Sequence, residues 1–296
     1  MPSNPPPSET LIDHVVIAGV GLIGGSIAQA VKQRGLARKV TGLGRNRERL
    51  EAARSAGVVD DIATSAAELQ NVSLAIVCTP VDRIADDVRA IQQYSPQALI
   101  TDAGSVKGAI CRALADVSNF VGSHPMAGSE RGGWEHSRAD LFEGKVCAIT
   151  PLSQPESRIA RVEAFWQVLG MRTQRVTPPR HDELVALTSH LPHAVAAVLA
   201  SQLTADARPL ASTGFRDTTR VASGDPELWT AIFRDNRRPV AASLRELILQ
   251  LEQFAGALDD ENWLMIHDML LAGRSQRDEW LHDRPDLVRD SGSPPS

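Results

Sequence analysis

The sequence predicts a doubly wound α/β domain followed by an all-helical domain. Three observations carry that reading. Short apolar runs alternate with helical stretches from Leu11 to about Val176; strand-like runs vanish beyond Pro178-Pro179; and a glycine-rich turn, Gly19-Val20-Gly21-Leu22-Ile23-Gly24, joins the first apolar run to the first helix. At 296 residues with 43% hydrophobic content, the chain is long enough for more than one average domain.

In order, HVVIAG is the first strand and a helix follows from about Ile23 to Arg34. KVTGL is the second strand, with a helix around Glu48 to Ala56. SLAIVCTP, a helix over Arg83 to Gln92, ALITDAG and a helix over Lys107 to Ala115 continue the strand-helix-strand punctuation. FVGSHP and KVCAIT are further strands, and a helix over Glu156 to Leu169 and a last strand near Thr173 to Val176 close the domain. Strands this apolar belong in a sheet covered on both faces.

Beyond that point helical patterns run over Asp182 to Thr204, Glu227 to Phe233, Asn236 to Ala255 and Glu261 to Arg277. Val240, Leu244, Leu247, Ile248, Leu251 and Phe254 recur on one stripe, which must pack either in the domain's own core or against a second subunit. The expected organisation is a disordered tail at 1–10, a sheet domain at 11–177, a helical domain at 178–286 and a second tail at 287–296. The proline-rich ends bury too little apolar surface to offset their ordering entropy.

Composition excludes several classes. With 31 basic against 36 acidic residues and a formal charge of −5, no global field draws nucleic acid or an anionic membrane. An anionic ligand has to be held by local arginines. Cys78, Cys111 and Cys147 are odd in number, widely spaced and free of C-x-x-C, so neither a disulfide framework nor a metal site is expected. MPSNPPPSET lacks the basic start and apolar run of a secretory signal, and no segment reaches ~18 consecutive apolar residues. The expectation is a cytoplasmic protein.

The glycine turn has a specific physical reading. Gly19 permits the tight turn, Gly21 lets backbone approach a pyrophosphate, Gly24 allows close helix packing, and the free N–H groups at Leu22 and Ile23 face the phosphates. This is the fingerprint of a Rossmann-like dinucleotide site. The second strand of such a site ends on an acid that binds the ribose hydroxyls of NAD; here Gly44-Arg45-Asn46-Arg47 stands instead. Guanidinium groups without a carboxylate favour a 2′-phosphate, hence NADP over NAD, although NAD still fits and Arg45 and Arg47 can equally be solvated. Thr79-Pro80-Val81 ends a strand at the edge where ligands bind, and serves cofactor contact, helix initiation or both.

Three segments suggest chemistry: Asp102-Ala103-Gly104-Ser105-Val106-Lys107, then Ser123-His124-Pro125-Met126-Ala127-Gly128-Ser129-Glu130, then Ser189-His190-Leu191-Pro192-His193. His124 is the candidate base, read as lying in a glycine-rich loop. Ser189 and His193, four apart, share a helix face. Pro192 removes the donor for the carbonyl of Thr188 and should kink the helix, either as a cleft wall or as a tolerated bend.

GVGLIGGS, DAGSVK, SHPMAGSE, TSHLPH and GFRDTTRVA, in this order, resemble the prephenate and arogenate dehydrogenase family of tyrosine biosynthesis, over most of residues 13 to 235. The resemblance implies that His124 is the catalytic histidine acting on the substrate's ring hydroxyl and that Ser105 orients it near the nicotinamide. It implies substrate-site roles for His193 and Ser189, a role in access and binding for Glu130, and pairing of Arg220 with a substrate carboxylate. Arg216 and Asp217 sit where the family lets a neighbouring subunit reach the site, which implies a homodimer through the helical domain. For Arg220 the residues alone leave open a surface ion pair with Asp217 or Asp225. The chain ends soon after the helical domain, so no appended sensing or mutase domain is expected.

Two other readings stand beside this one. A 3-hydroxyacid or imine reductase also joins such a domain to helices, but usually depends on a lysine there, and residues 178–296 contain none. A non-catalytic dinucleotide sensor would keep the fold without the chemistry.

Overall fold

The computed structural model describes residues 11–128 and 131–284. It divides into two compact units at Pro239/Val240. The first holds one eight-stranded sheet, in spatial order β3-β2-β1-β4-β5-β6-β7-β8. In chain order these strands are β1 (Ile12–Ala18), β2 (Ala37–Leu43), β3 (Asp61–Ala63), β4 (Leu74–Val77), β5 (Leu99–Asp102), β6 (Phe120–Pro125), β7 (Val146–Thr150) and β8 (Arg172–Arg175).

β1 shows why the sheet is covered on both faces. Val15 and Ile17 enter one apolar cluster while Val16 and Ala18 enter another, the two-residue alternation of a strand buried on each side. The first cluster takes in α1 (Leu22–Gln33), α2 (Arg47–Ser55) and α5 (Glu156–Val168); the second takes in α3 (Ile84–Tyr94) and α4 (Gly108–Ala113). Strand pairing is parallel from β3 through to β6, but β6 and β7 pair antiparallel, His124 opposite Ala148. β3 has no counterpart in the sequence reading, being only three residues long.

Because β2 and β4 flank β1 on opposite sides, the chain reverses its direction of growth beside the glycine turn. Ligands of open α/β sheets bind at such a switch point, outside the carboxyl ends of the strands.

The expected helix over Asp182 to Thr204 begins earlier and is not uniform. α6 (Pro178–Val185) starts with prolines at its first positions, where a missing N–H costs nothing. A π turn over Ala186–His190 comes next, then α7 (Leu191–Ser201). The composite helix Pro178–Ser201 is long and apolar enough, by length and composition, to cross a membrane. Asp182 nevertheless ties it to the sheet unit, accepting the amide protons of Lys107 and Gly108 at 2.8 Å each. After it come α8 (Thr213–Thr219), a 3-10 turn over Arg220–Ser223 and α9 (Pro226–Asp235). The second unit comprises most of α10 (Arg237–Asp259) and all of α11 (Trp263–Asp283).

Candidate active site

The glycine turn is built as a phosphate cradle. Gly19 has φ +91°, and a Cβ there would meet Cys78 and Thr79 backbone at 2.8 to 2.9 Å, so only glycine fits. A Cβ on Gly24 would strike the Gly19 carbonyl, which is how α1 packs so closely on its strand. Gly21, by contrast, faces open space and caps α1 with no side-chain hydrogen bond. The free amide donors and positive end of the helix are thus left for an anion, and this backbone fits a dinucleotide's pyrophosphate.

Beside the turn lies an open cleft of about 920 Å³, lined by Gly19, Gly44, Arg45, Asn46, Arg47, Thr79 and Pro80 among others. Arg47 is engaged by Glu51 at 3.7 Å, whereas Arg45 is exposed on the cleft. Asn46 caps α2 by accepting the Arg49 amide proton at 3.0 Å. The Thr79 hydroxyl donates to Asp87 at 2.7 Å, and Val81 is buried.

At the same edge of the sheet, three strand positions from β1 and so about 14 Å away at ~4.8 Å per strand, stands His124. It lies on β6 itself rather than in the loop beyond it, because pairing with β7 extends to Pro125. Beneath it, Lys107 and Asp102 form a wholly buried ion pair. Lys107 also donates to the Ser123 carbonyl at 2.9 Å, and Asp102 accepts from the amides of Gly104 and Ser123 at 2.9 and 3.0 Å. Burial holds His124 well below the ordinary imidazole value, with help from His181, the Lys107 ammonium and His190. His124 is therefore neutral at pH 7.

The hydrogen-bond partner of His124 Nδ1 is a second histidine. That nitrogen lies 2.9 Å from His181 Nε2, and His181 Nδ1 lies 2.9 Å from Asp182 Oδ1. Ser105 sits in the bend between β5 and α4 at the same sheet edge, and its hydroxyl makes no hydrogen bond among the described residues. His181 and Asp182 escaped the sequence reading, although a polar pair three and four residues before Val185 falls on the buried face of the helix.

The π turn rearranges the expected Ser189 and His193 face. His193 is buried and stacks flat on Trp229, ring centroids 3.5 Å apart at 13°. Gly224 makes room, since a Cβ there would meet Trp229 at 2.5 Å and His193 at 2.8 Å. Ser189 is half-buried within the turn. Asn236 donates to the Asp182 carbonyl at 2.8 Å and to His190 at 3.0 Å, while burial lowers His190 to about 4. Arg216 pairs with Asp217 at 2.9 Å on exposed α8, and exposed Arg220 opens the adjoining 3-10 turn. Glu130 lies outside the described residues.

A phosphate cradle and a neutral imidazole sharing one sheet edge suit the removal of a hydride and a proton from one substrate, which is the work of a nicotinamide-dependent oxidoreductase. Residues 27–175 match the nucleotide-binding domain of prephenate dehydrogenase, and residues 177–271 match its dimerization domain. The prephenate dehydrogenase of Bacillus subtilis is 31% identical over 84% of this chain and 71% of its own length. A crystal structure of prephenate dehydrogenase from A. aeolicus with hydroxyphenyl propionate and NAD+ superposes with a TM-score of 0.86 at 30% identity, covering 92% of this chain and 99% of that one. Synechocystis arogenate dehydrogenase gives 0.78 at 31% identity, over 90% and 99%. The chain belongs to the prephenate dehydrogenase family.

Proposed function

We propose that the chain oxidatively decarboxylates prephenate, arogenate or both, with His124 as the base. The observation that carries the reading is the neutral imidazole of His124 at the carboxyl edge of the sheet, on the side where the glycine turn opens. When bound, a nicotinamide dinucleotide supplies the hydride acceptor. His124 withdraws the proton of the ring hydroxyl as hydride leaves C4; carbon dioxide departs, its bonding pair makes the ring aromatic and leaves a phenolate oxygen, and that oxygen takes a proton back to give 4-hydroxyphenylpyruvate or tyrosine. A base of this kind contributes about 10²- to 10⁴-fold.

Ser105 would act beside His124 at this edge, and His193 and Ser189 would contact substrate from the helix. Arg220 would take a substrate carboxylate through two parallel hydrogen bonds, which a lysine cannot match. Glu130, Arg216 and Asp217 would govern access, the last two from a neighbouring subunit. We place the substrate and dimerisation domain at 178–286 and the protein in the cytoplasm as a homodimer. Gly19, Gly21, Leu22, Ile23, Gly24, Thr79, Pro80 and Val81 would hold the cofactor, and Arg45 on the open cleft supports NADP over NAD.

The test mixes purified protein with prephenate or arogenate and NAD or NADP, and monitors reduced-nicotinamide absorbance. Turnover with at least one pair is expected, fastest with NADP. Silence in all four would favour a dinucleotide sensor.

A further inference from the structure

We propose that His181 is a positioning residue that fixes the tautomer of His124, keeping the proton on Nδ1 and the lone pair on Nε2. The proposal rests on His124 being the base. Its physical ground is the polarity of a hydrogen-bond chain that begins at a carboxylate. Asp182 is an acceptor by construction, because Oδ1 receives the Lys107 amide proton and Oδ2 the Gly108 amide proton, each at 2.8 Å. Burial alone would raise its pKa, but hydrogen bonds from His181 and the two amides together carry it below the usual value, so it is an anion.

Oδ1 also faces His181 Nδ1 at 2.9 Å, so that nitrogen bears a proton. In a neutral ring Nε2 is then bare. His124 Nδ1, 2.9 Å away, must donate to it. A neutral His124 with its proton on Nδ1 leaves Nε2 free to accept, and Nε2 has no hydrogen-bond partner among the described residues. The opposite polarity would set a bare His181 Nδ1 against the Asp182 carboxylate, two acceptors in contact.

The charged and titratable groups around the pair keep both rings neutral. Burial and the Lys107 ammonium lower His181 against the pull of Asp182 and Asp102, and burial, His181, Lys107 and His190 lower His124. Once His124 has taken the substrate's proton, its Nδ1–H becomes a charge-assisted donor to His181, backed by the Asp182 anion. No further proton transfer is needed. The second imidazole therefore serves both states of the base: it selects the accepting tautomer before the step and steadies the cation after it.

The test uses the full-length protein with ¹⁵N-labelled histidine, the His124 signals being assigned by their loss in His124→Asn. At neutral pH the wild-type His124 Nδ1 is expected at the shift of a protonated ring nitrogen and Nε2 at that of a bare one. His181→Leu should lower kcat by about 10²-fold, at the low end of what a positioned base supplies, while KM changes little. His181→Gln, whose carbonyl can accept from Nδ1–H, should recover most of that loss. A His181→Leu protein with wild-type kcat, or a wild-type spectrum with the proton on Nε2, overturns the proposal. If His181→Leu does not fold, the wild-type spectrum decides alone. Should His124→Asn keep most of its rate, the base assignment has failed instead, whereas a dead His124→Asn beside a fully active His181→Leu sinks only the role of His181.

Discussion

His124 would serve well as the proposed base because burial, ahead of its charged neighbours, holds the ring neutral at rest. A buried ammonium at Lys107 opposes protonation, and Lys107 is itself fixed by Asp102 and the Ser123 carbonyl. A buried pair of this kind is weak evidence for stability, since desolvation consumes most of the Coulomb gain; here its field acts on the neighbouring ring. His124→Asn would remove the proposed proton acceptor without touching the glycine turn. Its kcat should fall about 10²- to 10⁴-fold with cofactor affinity unchanged, measured by steady-state turnover and equilibrium titration. In the cleft beside the glycine turn, Gly44 follows β2, where the dinucleotide fingerprint would carry a ribose-binding acid. A Cβ there has Leu50 as nearest neighbour at 3.7 Å, ordinary contact, so a side chain can be added without a clash at its first carbon. Gly44→Asp would repel a 2′-phosphate, and the ratio of kcat/KM for NADP over NAD should drop about 10- to 100-fold, or roughly 1.4 to 2.7 kcal/mol. An unchanged ratio would show that residue 44 does not face the ribose.

The element that assembles the histidines is the interrupted helix over Pro178–Ser201. Pro192 lacks the N–H that Thr188 would receive, and its ring would collide with that carbonyl. The chain answers with the π turn, in which the Leu191 amide donates to the Ala186 carbonyl five residues back. One inserted residue rotates the downstream turns of the helix by about 100°, setting His193 against Trp229 while His181 and Asp182 stay on the sheet side. Pro192→Ala restores the donor and lets the helix close to regular periodicity. Tm should hold or rise, while KM rises about tenfold, or ~1.4 kcal/mol of substrate binding. An unmoved KM would mean that the buried His190 and Asn236 contact holds the turn instead. Sequence spoke clearly where the signal is local. The apolar runs gave β1, β2 and β4 to β7, and the glycine turn was legible because all its parts lie within six residues. β3 was not legible, since Asp61–Ala63 is too short to show alternation. Nor was the His124 to His181 contact, whose members are 57 residues apart and meet only after the helix has docked. The proline of TSHLPH announced a distortion but not that it would be a π turn.

Across the whole molecule, buried neutral histidines make stability depend on acidity. His14, His124, His181, His190 and His193 all have folded values below the unfolded ~6.5. As pH falls the unfolded chain binds protons first, so their contribution is complete above ~6.5 and drains toward the folded values. His190 alone, buried and lowered to about 4, loses on the order of 3 kcal/mol across that window. Tm should decline steadily from pH 7 to pH 4 by differential scanning fluorimetry; a flat profile would contradict neutral burial. The second unit raises a different question, because α11 has no buried residue in one copy of the chain. Helices gain most of their stability from packing an apolar face, yet Leu264 is 72% exposed, Trp263 63% and Leu270 61%. Ile248 and Leu251 of the α10 stripe are about half exposed as well. Residues 177–271 match a dimerization domain, so a second copy is the partner expected to cover these residues. Wild-type protein should sediment as a dimer. Leu264→Glu with Leu270→Glu buries two carboxylates in that contact and should give monomers with reduced helicity, while the sheet unit still binds cofactor. If Arg216 and Asp217 reach across to the neighbouring site, the monomer should also lose turnover. A double variant that remains dimeric would place the interface elsewhere on the chain.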